Sequence, residues 1–264
     1  MPVDTIPGGT GTDPCSSGWL AKTANDTIYV AAGCDSTGVI VRRSTNGGDS
    51  FSPVDSFQYT TTAQTRMGTL GVDATGQVYV GGTGGQPMDG SNHWLIRRGT
   101  GMGTWTTVDD YQLAPANHAN VANFFGSADA IYAAGSANDA DGVSHWIIRR
   151  ASIDDPSSFT TVDDVGPSQN MEQLAAHSVY QASTGLFVAA GSSRVGTAPG
   201  RVIYRRSTNG ETWSPAGDYQ YVTGADSSPA GRITEDATGN LYGMVRGVDA
   251  GGFAHWIIRR LLCN

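Results

Sequence analysis

Apolar residues occur along this chain in short runs, each broken within a few positions by Gly, Ser, Thr, Asn or Asp. That is the pattern of strands joined by tight turns. One run recurs five times, as Val39-Ile40-Val41, Trp94-Leu95-Ile96, Trp146-Ile147-Ile148, Val202-Ile203-Tyr204 and Trp256-Ile257-Ile258, each followed at once by two arginines. The second arginines, Arg43, Arg98, Arg150, Arg206 and Arg260, stand 55, 52, 56 and 54 residues apart. A second run precedes each of these through a polar turn: Thr27-Ile28-Tyr29-Val30, Gln77-Val78-Tyr79-Val80, Ala130-Ile131-Tyr132-Ala133, Leu186-Phe187-Val188 and Leu241-Tyr242. After the first four arginine pairs comes a further strand with an acidic signature, carrying Asp55, Asp109, Asp163 and Asp218.

Four short strands per unit, five units in series, predict an all-β fold: a five-bladed β-propeller of four-stranded antiparallel blades, one domain over residues 1–264. With strands lettered A to D from the axis outward, the blades fall at about 16–60, 66–113, 119–166, 171–222 and 229–264. The fifth unit has no D strand of its own. Pro2-Val3-Asp4-Thr5-Ile6 resembles Pro53-Val54-Asp55-Ser56-Phe57, so residues 2–7 are expected to pair with the strand around 255–262. That closes the ring and removes its open edges. The arginine pairs are expected to be structural, with the D-strand aspartates, and Asp4 on closure, as their partners.

The turn after the first arginine pair reads Ser44-Thr45-Asn46-Gly47-Gly48-Asp49-Ser50-Phe51, with a shorter copy at Ser207-Thr208-Asn209-Gly210-Glu211-Thr212-Trp213 and a weaker one at Gly99 to Trp105. It resembles the Asp box of sialidase-like propellers, with Asn46 in the Asp position and Phe51 in that of Trp. The resemblance implies a propeller fold and a structural C-to-D turn on the face away from the ligand site. Enzymes of that family are larger, usually six-bladed, and use an arginine triad, a Tyr with Glu pair and an acidic catalyst. No position here matches those residues by motif.

Composition narrows the partners. Sixteen Lys and Arg against 24 Asp and Glu give a formal charge of −8, so no basic stripe exists to neutralise a nucleic-acid backbone. No run of 18 apolar residues is present, which excludes insertion in a membrane as a helix. The start, Met1-Pro2-Val3-Asp4, has neither a basic nor an apolar leader region; a cytosolic protein shares this with an exported one whose leader is missing. Low Lys and abundant Gly, Ser and Thr suit a secreted or cell-surface protein. Cys15 precedes strand A and Cys34 follows strand B of the first blade, so a Cys15–Cys34 disulfide is expected with Cys263 free, the alternative for Cys34 being a buried thiol.

Candidate chemistry gathers on the face where B-to-C and D-to-A loops open. His93-Trp94, His145-Trp146 and His255-Trp256 begin C strands, with Asp89 and Asp141 upstream of the first two. Carboxylate, imidazole and indole together form a plausible saccharide pocket, the alternative being inter-blade packing for the Trp and local hydrogen bonding for the His. Gln58, Gln112 and Gln220 in the D-to-A linkers offer amides to a hydroxylated ligand or cap their loops. Neither a metal nor a cofactor is implied: Asn138-Asp139-Ala140-Asp141-Gly142 begins like a calcium loop but lacks its distal Glu, and no CxxC exists. The leading expectation is therefore a non-catalytic, lectin-like module for a glycan or glycoconjugate. A glycoside hydrolase or lyase is one alternative, with Glu172 or Glu235 acting beside Asp73 or Asp236. A protein-interaction scaffold is the other.

Overall fold

The computed structural model describes residues 15–34, 38–61, 63–99, 103–168 and 172–261, and among these it contains twenty strands and no helix. The first sheet holds β1 (Cys15–Lys22), β2 (Ile28–Cys34), β3 (Gly38–Ser44) and β4 (Ser52–Phe57). The second holds β5 (Thr65–Val72), β6 (Val78–Gly85), β7 (Asn92–Gly99) and β8 (Trp105–Tyr111). The third holds β9 (Ala119–Gly126), β10 (Ala130–Asn138), β11 (Ser144–Ser152) and β12 (Thr160–Val165). The fourth holds β13 (Glu172–Gln181), β14 (Phe187–Arg194), β15 (Arg201–Ser207) and β16 (Ser214–Tyr219). In the fifth, the inner position is split between β17 (Ser227–Pro229) and β18 (Thr234–Glu235), both paired to β19 (Leu241–Val248), which pairs β20 (Ala254–Leu261). All pairings within the sheets are antiparallel, and in the first four they follow chain order, so the five sheets fit the five blades of a propeller.

The core lies between consecutive sheets, where large residues of one fill gaps left by glycines of the next. Trp94 and Trp146 are fully buried, and a Cβ on Gly135 would approach Trp94 Cζ3 to 2.6 Å. A Cβ on Gly191 would meet Trp146 in the same way. Burying an indole this way stabilises by several kcal/mol, about 3–5 on truncation to Ala.

The expected arginine pairs with aspartates are found between sheets. Arg97 donates to Asp55 at 2.8 and 2.9 Å, Arg149 to Asp109 at 2.7 and 2.8 Å, and Arg205 to Asp163 at 2.6 and 2.6 Å. In each case a guanidinium of one sheet grips the outer strand of the sheet before it, in the bidentate geometry that makes such pairs strong. A bulge one residue before each aspartate, at Val54, Val108 and Val162, marks the same point in each outer strand.

Asp218 departs from the expectation. The register places Gly217, not Asp218, opposite Tyr204, where Asp109 stands opposite Ile96 and Asp163 opposite Ile148. Asp218 instead holds the position of Asp110 and Asp164 and pairs with Arg201 at 2.6 Å. Arg259, lacking that carboxylate, lies over the Tyr219 ring at 3.7 Å. The junction of the fourth and fifth sheets is thus built differently from those before it.

The Asn-centred turns form as their residues dictate. Asn46 Oδ1 accepts from Ser44 Oγ and Ser50 N at 2.8 and 3.1 Å, and Asn209 Oδ1 accepts from the backbone of Glu211 and Thr212 at 2.9 Å each. Cys15 and Cys34 face each other in the backbone register of β1 and β2. Their side chains, like Cys263 and the strand expected over residues 2–7, lie outside the described residues.

Candidate functional site

The histidine and tryptophan candidates occupy equivalent places but form no common pocket. Trp94 and Trp146 are core residues with no ring face exposed to a ligand. Trp256 is 70% exposed, on the outward strand of the fifth sheet. His93 bonds Asp110 at 2.6 Å with Tyr59 3.1 Å away, and His145 bonds Asp164 at 2.6 Å and Asp139 at 3.3 Å. His255 bonds Asp249 at 2.7 Å. With Arg201 on Asp218, these histidines form one structural series in which a basic residue starting the third strand pins an acid of its own sheet. Asp89 accepts from Ser91 N at 2.9 Å inside its own turn, while Asp141 is exposed and its N–H donates to Asp139 at 3.0 Å. Gln112 caps its loop by donating to Asn117 O at 2.6 Å, and Gln220 does so toward Gly200 O and Ala225 O at 3.4 Å each; Gln58 is half-buried after β4. Among the described residues no three His, Cys, Asp or Glu are placed to hold a metal.

The carboxylates that composition put near the axis sit mostly at the wrong end. Asp73 accepts from Thr75 N at 2.9 Å, Gln77 N at 3.0 Å and Tyr79 OH at 3.0 Å, closing the hairpin turn between β5 and β6. Asp236 does the same with Thr238, Asn240 and Tyr242, and the hydrogen bonds led by Asn240 hold its carboxyl far below the usual range. Glu235 accepts from Ser183 N and Oγ at 2.8 and 2.7 Å, tying the fifth sheet to the fourth. Asp73 and Asp236 belong to turns, and Glu235 to the end of β18 beside one, on the face opposite the B-to-C loops, so their role is structural. Glu172 is different: it begins β13 on the loop face, with its backbone opposite Arg194.

A polar pocket of about 280 Å³ opens there, lined by Gln173, Ser192, Ser193, Arg194, Gly200, Asp226, Ser227, Ser228 and Arg246. Three irregularities shape it. Gln173 has φ +46°, a left-handed conformation that costs a non-glycine residue about 1–3 kcal/mol and recurs at functional sites. β13 carries two register shifts, between Glu172 and Ala175 and between Ala176 and Ser178, the second extruding His177. Bulges recur at that level in β1, β5 and β9, where the extruded residues are Ser17 and Gly18, Gly68 and Ala122; the inner strand of the fifth sheet is interrupted over residues 230–233. His177 Nε2 lies 2.9 Å from Ser192 Oγ, and burial pushes its pKa below the ordinary value. Asp226 is oriented by Arg194 at 3.0 Å and by Gly200 N at 2.7 Å. Arg232, from the interruption, reaches across to Leu70 O at 3.3 Å and lies over the Trp19 ring at 4.9 Å.

Asp226, Arg194, Arg246 and Gln173 were not singled out by sequence. The available signal was loss of repetition: none of them stands in the recurring runs, and the outer strand of that unit reads Ala216-Gly217-Asp218 where two others read Val-Asp-Asp.

No family model matches the chain, and no curated protein matches it. Solved structures do. An α-L-arabinanase of Penicillium chrysogenum, complexed with arabinobiose, superposes with a TM-score of 0.63 at 12% identity, covering 97% of this chain and 82% of that one. The GH93 α-L-arabinofuranosidase of Fusarium graminearum, also with arabinobiose, gives 0.58 at 13% identity, covering 91% and 79%. The periplasmic gluconolactonase of Pseudomonas aeruginosa gives 0.56 at 11% identity, covering 92% and 71%. At such identities the likeness establishes the fold. Arabinanases, an arabinofuranosidase and a family-43 glycoside hydrolase are among these structures, and this corrects the expectation of a non-catalytic lectin-like module in the direction of its hydrolase alternative.

Proposed function

We propose that this protein is a glycoside hydrolase whose reaction centre is the polar pocket between the fourth and fifth sheets. The observation that carries the reading is the pocket's asymmetry. It lies on the loop face, at the junction where, among the described residues, the arginine ladder is interrupted, the inner strand gains a second register shift and the inner strand of the next sheet is broken. Catalysis needs a single arrangement of this kind, preorganised by rigid strands. Support also comes from the carbohydrate-degrading activity named for the structural relatives, two of them holding arabinobiose. Hydrolysis of a glycoside needs an acid to protonate the leaving oxygen and a second carboxylate to act as base or nucleophile. Asp226, gripped by Arg194 and Gly200 N, takes the second role.

Closure of the ring belongs to the same proposal. β20 pairs only with β19 among the described residues, and Trp256 and Ile258 are 70% and 77% exposed where their counterparts Trp146 and Ile148 are fully buried. Residues 2–7 complete the fifth sheet, bringing Asp4 to Arg42 in the ladder, and the exposed face of that sheet meets the first. A secreted or periplasmic location suits such an enzyme, and no helix of the described residues is long and apolar enough to cross a membrane.

The test is release of reducing sugar from a panel of polysaccharides including arabinan. Activity in the wild type that falls at least a hundredfold in Asp226→Asn, with unchanged circular dichroism, supports the reading. Activity that survives the substitution refutes this placement of the reaction centre.

A further inference from the structure

We infer that the pocket between the fourth and fifth sheets takes a sugar bearing a carboxylate, a uronic acid residue of an acidic glycan, with Arg246 as the group that reads the charge. The inference rests on that pocket being the glycan site. Its lining holds two arginines with different circumstances. Arg194 already has a carboxylate, Asp226, whose Oδ1 also accepts from Gly200 N. Arg246, on β19 opposite Ser228, lines the same pocket and has neither a carboxylate nor a hydrogen-bond acceptor among the described residues. A guanidinium is always charged and presents a planar fork of donors matched to a carboxylate. In a chain of formal charge −8, long-range attraction does not gather anions here, so recognition has to come from this local, unmatched donor.

The rest of the lining suits the sugar ring. Ser192 and Ser228 hydroxyls both donate and accept, the Gln173 amide does likewise, and Asp226 accepts from sugar hydroxyls. The strained backbone of Gln173 fixes that residue at the pocket rim, and the extruded His177 bonds Ser192 Oγ from behind, setting the direction of its hydroxyl. A neutral pentose would use these groups and leave Arg246 idle; a uronate uses all of them.

The experiment compares binding of digalacturonate and of its dimethyl ester, which keeps the ring and hydroxyls but removes the charge, by calorimetry at low and high salt, with inorganic phosphate as a third ligand. The expected result is that wild type prefers the acid over the ester by about tenfold or more, the ordinary worth of a charge-assisted hydrogen bond. Arg246→Gln erases that preference with the melting temperature unchanged, and Arg246→Lys restores only part of it. Equal affinity for acid and ester, an unaltered preference in Arg246→Gln, binding of neither sugar, or phosphate bound as tightly as digalacturonate would each overturn the inference. The two proposals fail separately. Hydrolysis of neutral arabinan by wild type, with no acid preference in binding, removes the uronate and keeps the hydrolase; acid-selective binding without hydrolysis of any glycan does the reverse.

Discussion

At the scale of single residues, His177 is an imidazole extruded by the β13 bulge, where β5 and β9 carry Gly68 and Ala122. Burial disfavours its charged form and pushes the folded pKa below the ordinary value of about 6.5. The unfolded chain therefore binds the proton more readily, and stability rises with pH through this window. The contribution is complete above about pH 6.5 and is lost as pH falls through the depressed folded value. Urea midpoints for wild type should drop on acidification from pH 7.5 to 5 more steeply than those of His177→Gln, since the carboxylates common to both cancel in the comparison. Parallel curves would show that His177 is not buried as described.

The same scale separates two arginines of the third strands. Arg149 and Asp109 are both buried, and burial raises the Asp109 pKa against the pull of Arg149. Arg149→Ala strands a carboxylate inside the protein, at an expected cost of about 3–5 kcal/mol. Arg201 and Asp218 are half exposed, so Arg201→Ala should cost about 0–1 kcal/mol. Chemical denaturation of the two variants measures the contrast directly.

At the scale of elements, what could be read from sequence was whatever repeats. Apolar runs and turn residues located the strands, and five arginine pairs located the third strand of every unit, because each copy meets the same neighbours. What repeats also misled. Asp218 was aligned with Asp55, Asp109 and Asp163 by composition, yet the outer strand carries one acid where others carry two, and the register assigns Asp218 to the second place. A one-residue offset inside a bulged strand leaves no mark on hydrophobic periodicity. His93 and His145 looked like ligand-binding groups because they stand beside Trp; the partners that fix them, Asp110 and Asp164, are opposite only through strand pairing. Packing between elements gives its own prediction: Gly191→Ala places a methyl against the Trp146 ring and the Ala175 carbonyl, and should destabilise by about 1–3 kcal/mol, as overpacking of a filled core does. A melting temperature unchanged by this substitution would mean the two sheets are not in contact there.

At the scale of the whole molecule, the sheets form a scaffold in which three junctions share one ion-pair design and the fourth does not. The candidate site lies at that fourth junction, and for this reason the recurring chemistry of the sequence did not mark it: Asp226, Gln173 and Arg246 come together beside an interrupted inner strand and a left-handed backbone position. Ring closure is a property of this scale as well. Removal of residues 1–14 should expose β20, so its backbone amides should exchange hydrogen at least tenfold faster than in the full chain, in keeping with an edge that has lost its pairing strand. Equal protection in both would show that the N-terminal segment does not complete the fifth sheet.

The measurement that bears most directly on function is hydrolysis itself, followed as new reducing ends from arabinan and from acidic polysaccharides, for wild type beside a folded Asp226→Asn variant. Turnover by wild type, reduced at least a hundredfold in the variant, is the expected result and places the chemistry in the pocket between the fourth and fifth sheets. Turnover equal in the two proteins, or none from any glycan in the panel, would contradict it.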